Sequence, residues 1–169
     1  MKQGLCRHSL SIAIEKKRAL FPKIRLRREI DKILQALHFP NGTIQISLLS
    51  DAQIRKINRK FLNHDFATDV ISFGYLDTKK GRRQSDAAQA PRILGDIAIS
   101  LDTARRQARE YGVDYFYEVV FYVCHGLLHI LGWDDRTASM RTQMLAKQAQ
   151  ILRQTGLSPS LITKLKKKT

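Results

Sequence analysis

The segment His125-Gly126-Leu127-Leu128-His129-Ile130-Leu131-Gly132-Trp133-Asp134-Asp135 contains the end of the longest apolar run of the chain, residues 119–131. Asp114 is placed to cap a helix running to Leu131, and Gly132 to end it. On such a helix His125 and His129 lie one turn apart, about 40° around the axis, so both imidazoles can reach one ion. Gly132 frees the chain to turn back, which gives Asp135, six residues after His129, a path to the same ion. Two ring nitrogens and one carboxylate oxygen leave a position for water, the pattern of a catalytic metal site and not of a closed structural one. A metal held there lowers the pKa of bound water to about 7 and supplies hydroxide at neutral pH. Histidines at i, i+4 also occur as hydrogen-bonded polar residues of core helices. Two of them inside so apolar a helix are costly without a partner, which favours the metal reading. Asp134 competes with Asp135 for the third position.

On the N-terminal side of this helix, strand and helix patterns alternate. Residues 9–14 (SLSIAI), 43–49 (TIQISLL), 69–75 (DVISFGY) and 93–101 (ILGDIAISL) read as strands. Residues 25–37 place Leu26, Ile30, Ile33, Leu34 and Leu37 at helical spacing. Ser50 or Asp51 can cap a helix through Ile54, Ile57 and Phe61, and Asp102 opens a charged helix that ends near Gly112. Residues 137–154 form a last helix with Met140, Met144, Leu145, Ala149 and Leu152 on one side, closed by Gly156 and Pro159. Pro40-Asn41-Gly42 marks a turn, and residues 76–91 read as a polar loop. There is no internal repeat and no linker. The expectation is an α+β fold in a single domain, 1–169, with its core at about 5–157. A small mixed β-sheet of about four strands packs with helices, and residues 160–169 form a basic C-terminal tail.

The 169 residues are 43% hydrophobic, enough to bury a core without staples, and this excludes a disordered chain despite 27% charged residues. Cys6 and Cys124 form no CxxC, which argues against a thiol zinc site or redox pair and fits a reducing cytoplasm. The first segment lacks a long apolar core, so no secretory signal is expected; its basic character leaves a transit peptide as the alternative. The apolar run 119–131 falls short of the ~20 residues of a membrane helix. The expectation is therefore a cytoplasmic protein with no membrane span. Lys plus Arg total 30 against 15 Asp plus Glu, a net charge of +15 that points to an anionic partner, nucleic acid or an anionic surface. Residues 1–32 carry ten basic and three acidic side chains, residues 33–135 twelve of each, and residues 136–169 eight and none. The excess thus flanks a neutral middle. Lys79, Lys80, Arg82 and Arg83 in the 76–91 loop suit contact with an RNA backbone.

The 125–135 segment resembles the signature of the YbeY family of rRNA maturation factors, written HGxLHLxGYDH. His125, Gly126, Leu128, His129, Gly132 and Asp134 match it. Asn58 and residues 61–73 (FLNHDFATDVISF) resemble the family block ending in TDVLSF, and residues 95–100 (GDIAIS) resemble its GDI-x-IS strand. The motifs occur in the family's order, from about residue 43 to residue 154. The resemblance implies a single-domain, metal-dependent endoribonuclease with a metzincin-like metal-binding helix. It implies action on single-stranded RNA in 16S rRNA 3′-end processing and ribosome quality control, with rRNA and the small ribosomal subunit as partners, and a monomeric state is expected. His125, His129 and Asp135 would hold one Zn2+ per chain, or a similar divalent ion, and its bound water would act with no side-chain base assigned. Thr68, Asp69 and Ser72 would line the substrate groove, beside Arg82 and Arg83. Asp96 and Asp134 are candidates for supporting the ligands from behind.

Two departures from the family pattern stand out. Asp135 occupies the position of a usual third histidine, and a carboxylate is a legitimate zinc ligand. Leu62 occupies the position of an arginine after the aromatic at Phe61; Arg59 and Lys60 would face other directions on a helix. Gly126 stands where HExxH peptidases carry their glutamate base, which disfavours proteolysis. A metallopeptidase-like hydrolase and a non-catalytic ribosome-associated factor with a structural metal are the rival readings. Taken on their own residues, Thr68-Asp69 reads as a turn or cap. His64 reads as a solvated loop histidine, with a nucleic-acid contact as the alternative. Trp133 reads as packing where the chain reverses, with base stacking as the alternative.

Overall fold

Four segments rich in Ile, Leu and Val pair into one sheet, and the helices between them supply the apolar faces that cover it. The computed structural model describes residues 9–14, 21–76 and 92–166. In chain order these form β1 (Ser9–Ile14), α1 (Lys23–Ala36), β2 (Thr43–Leu49), α2 (Asp51–Leu62), β3 (Val70–Gly74), β4 (Ile93–Ser100), α3 (Leu101–Tyr111), α4 (Tyr115–Ile130), α5 (Ala138–Gln154) and α6 (Pro159–Lys166). The sheet order is β1-β2-β4-β3. β1, β2 and β4 run parallel, with Ile12 opposite Ile46 and Ile46 opposite Ile97; β3 closes one edge antiparallel to β4, with Ser72 opposite Ile97. This is the α+β architecture with a mixed four-stranded sheet that the patterning called for.

Most of the predicted boundaries hold because their caps are built as the residue types suggest. Ser50 accepts from the Gln53 N–H while the Gln53 side chain accepts from the Ser50 N–H, a reciprocal capping box. Asp114 accepts from the Phe116 N–H at 2.8 Å and starts α4. The end of β4 moves: Leu101 opens α3 and does not end β4, because Ser100 takes the cap position and accepts from the Thr103 N–H at 3.1 Å. The larger difference lies at the end. Residues 160–166, expected as tail, belong to α6, because Leu157 and Ile162 continue the apolar pattern past Gly156 and bury against the core. Most of the 76–91 loop, with Lys79, Lys80, Arg82 and Arg83, lies outside the described residues, as do Cys6 and the Lys167-Lys168 end.

α4 is apolar on nearly every side, and it is buried on nearly every side, as such a helix must be. It packs against β3 and β4 and against α1, α3 and α5. A Cβ at Gly126 would lie 3.1 Å from the Ile97 side chain, so glycine lets the helix lie close on β4. Among the described residues no helix is long and apolar enough to cross a membrane.

Candidate metal centre

His125 and His129 sit on the last turns of α4, and the chain after it returns Asp135 to them. The return depends on Gly132, whose φ of 90° is a conformation that favours glycine. Asp134 then fixes the turn: its Oδ1 accepts from the N–H groups of Asp135 at 2.8 Å and Arg136 at 3.1 Å. Its other oxygen takes the Arg136 guanidinium at 2.5 Å. Asp134 therefore shapes the loop, and the carboxylate that faces the imidazoles is that of Asp135.

The donor set fits a tetrahedral ion. The two histidine Nε2 atoms are 3.1 Å apart, and Asp135 Oδ2 lies 3.5 Å from the first and 3.8 Å from the second. Ligand atoms about 2.1 Å from a tetrahedral zinc stand about 3.4 Å from one another, and the three spacings bracket that value. Each ring is oriented through its other nitrogen. His129 Nδ1 lies 2.9 Å from the Trp133 carbonyl, which accepts and so fixes the tautomer that leaves Nε2 with its lone pair. His125 Nδ1 lies 3.4 Å from Gln148 Oε1. Burial, aided by the neighbouring His129 ring, pulls the His125 pKa below the usual imidazole range and favours the neutral, ligating form.

The three groups open onto a cavity of about 800 Å³. Thr68, Asp69 and Ser72, singled out in the sequence, line it with them. Asp69 is held by the Val70 N–H at 2.8 Å and the Thr68 hydroxyl at 3.0 Å, so the turn that its residue type suggests is also a cavity wall. Asp96 is placed elsewhere: it accepts from the Tyr75 hydroxyl at 2.7 Å, and neither residue lines the cavity. Arg82 and Arg83 lie outside the described residues. Leu62 is on the cavity wall, as are three residues that the sequence reading did not single out, Arg106, Gln107 and Tyr122. Burial pushes the Tyr122 phenol up, so it stays a proton donor. Arg106 is anchored by Asp51 Oδ2 at 2.6 Å and by Thr103 Oγ1 at 2.8 Å. Gln148 also escaped the sequence reading, although a signal existed: it shares the apolar face of α5 with Met144 and Leu152, at i, i+4, i+8.

Residues 11–156 match the family model described as Endoribonuclease YbeY. The chain belongs to the YbeY family. It is 38% identical over 157 residues to the Endoribonuclease YbeY of Bacillus licheniformis, covering 90% of this chain and 99% of that one. It is 40% identical over 126 residues to the Endoribonuclease YbeY of Synechocystis sp., covering 73% and 70%. The fold is that of the solution structure of TM1509 from Thermotoga maritima, with a TM-score of 0.58 at 21% identity over 86% of this chain and 88% of that one. Within this YbeY chain the donor set is two imidazoles and a carboxylate, and the cation on the described cavity wall comes from α3 and not from position 62.

Proposed function

We propose that this YbeY protein is a zinc-dependent endoribonuclease that cleaves single-stranded RNA during maturation of the 16S rRNA 3′ end and in ribosome quality control. It would act in the cytoplasm as a monomer on rRNA and the small ribosomal subunit. The observation that carries the reading is the setting of the donor triad. His125, His129 and Asp135 face an open cavity that also holds a guanidinium, where a structural site would be closed. When bound, a divalent ion there activates water and polarises a phosphoryl oxygen. Arg106, whose side chain is 61% exposed, faces the same space as a fixed positive charge for a phosphodiester in transit to phosphorane. Two of its five N–H donors are used by Asp51 and Thr103, which leaves three for phosphate oxygens. Tyr122 and Ser72 also line the wall.

The peptidase alternative lacks its base for a steric reason as well as a compositional one. Position 126 points into Ile97 on β4, so a glutamate there would have no route to the cavity without displacing the sheet. The test is elemental analysis of the purified protein together with cleavage of a 16S precursor and of its duplexed form. Zinc near one per chain, cleavage of the single-stranded 3′ extension alone, and loss of both metal and cleavage in His129→Ala and on chelation are expected. Full precursor maturation by a metal-free His129→Ala protein would reduce the metal to a structural ornament and overturn the catalytic reading.

A further inference from the structure

We infer that the loop after α2 is a stacking platform for unpaired RNA bases, formed by Phe66 and His64 at the mouth of the metal cavity. The inference rests on the reading of that cavity as an RNA-cleaving site. Phe61, Leu62 and Phe66 are 59%, 46% and 57% exposed, three of the five large hydrophobic side chains most open to water among the described residues. They fall within one short stretch. The Phe66 ring stacks on the His64 imidazole with centroids 5.3 Å apart and planes at 16°.

This face is held open by construction. Arg55 donates to both carboxylate oxygens of Asp65, each at 2.9 Å. Asn58, only 2% exposed, donates to the Phe66 carbonyl at 2.9 Å. Asn63 ends α2 in the left-handed conformation, with φ of 59°. A fixed apolar face clustered in water points to a partner.

Position and charge choose the partner. Ala67, Thr68 and Asp69, the next residues, are cavity wall, so a base on Phe66 belongs to a strand whose phosphates pass the donor triad. On the other side Arg55, Lys56 and Arg59 surround a second depression of about 320 Å³, and the Lys60 ammonium lies 5.2 Å from the Phe61 ring centroid. The one acid there, Asp65, is occupied by Arg55. Aromatic faces between a basic notch and a cleavage site suit a single strand: every base offers a π-face, and the backbone meets cations. A duplex has no open base face to offer, so the platform also supplies the preference for single strands.

The test compares wild type, Phe66→Ala and Phe66→Trp for binding, in chelator, to a fluorescent single-stranded RNA and to the same RNA annealed. Cleavage of both by metal-loaded protein is followed in parallel. Phe66→Ala is expected to weaken single-strand binding by about 5- to 100-fold, and Phe66→Trp to retain it. Duplex binding and thermal stability should not change. The platform is overturned if Phe66→Ala binds single strands as wild type does, if it loses single strand and duplex alike, or if Phe66→Trp fails as Phe66→Ala does. It is equally overturned if the alanine variant keeps RNA and loses only a protein partner. Wild-type cleavage with no effect of Phe66→Ala removes the platform and leaves the nuclease. Phe66-dependent binding without cleavage removes the nuclease and leaves the platform.

Discussion

Gln148 supports the candidate centre from outside its donor triad. It is fully buried, its amide donates to the Phe121 carbonyl at 2.8 Å, and its carbonyl oxygen faces His125 Nδ1. The first bond fixes the amide, and the second then selects the tautomer with Nε2 free. Gln148→Leu keeps the volume and removes both bonds. Zinc affinity, measured by competition with a chromophoric chelator, should fall about 10- to 100-fold, the usual cost of losing a group that orients a ligand. Unchanged affinity would mean that His125 is oriented by packing alone. The gathering of two histidines and a carboxylate was legible, because metal geometry imposes a spacing on sequence: four residues on a helix, a glycine, then a carboxylate within reach. The choice between Asp134 and Asp135 was not legible. It depends on which way a turn points, and Asp134 turns out to be consumed by the N–H groups and guanidinium that make the turn.

Between elements, the junction of α2 with β4 and α3 rests on Asp51. Its N–H donates to Asp102 at 3.0 Å, and its carboxylate takes the hydroxyls of Ser100 and Thr103 and the Arg106 guanidinium. Burial alone would raise the Asp51 pKa; the hydroxyls of Ser100 and Thr103 and the Arg106 guanidinium outweigh it and hold the carboxyl below the usual carboxylate range. A carboxyl depressed in the folded state binds fewer protons than in the unfolded chain. Its contribution is therefore complete above the unfolded pKa of about 3.9 and disappears as the pH falls through the folded value. Asp51→Asn should cost about 1–2 kcal/mol in urea unfolding at pH 7, with the gap to wild type closing in acid below about pH 3.9. A gap independent of pH would assign the loss to shape and not to charge. The elements themselves were largely readable, since caps such as Ser50 and Asp114 are local chemistry. α6 was not, because Gly156 before it and its own proline and lysines signal an end, and only the fold shows that Ile162 has a core to bury in. Ile162, 2% exposed, makes the helix a structural part. Ile162→Ala should lower stability by about 2–4 kcal/mol in a denaturant titration, where a mere tail would give no change.

Over the whole molecule, the charge map drawn along the sequence differs from the one in space. The tally places the excess of +15 before residue 33 and after residue 135. Yet Arg25 lies 3.9 Å over the Phe116 ring and Arg27 bonds the Leu10 carbonyl, so part of the front excess fastens α1 to the core. The middle is balanced on paper, but some of its described acids are spent on internal bonds, among them Asp51 at the α2–α3 junction and Asp65 on Arg55. Among the described residues, what remains for RNA around the cavity is Arg106 and the basic face of α2. Counterion release gives these contacts a signature that metal chemistry does not share: each phosphate neutralised on a single strand adds about −0.7 to the slope of log K against log salt. Wild-type affinity for single-stranded RNA should therefore fall steeply with salt. Arg106→Gln should flatten the slope by about 0.7 while zinc content stays the same, and Arg106→Lys should restore it. A slope unchanged in Arg106→Gln would show that Asp51 already consumes the charge of Arg106 and that other cations steer the strand.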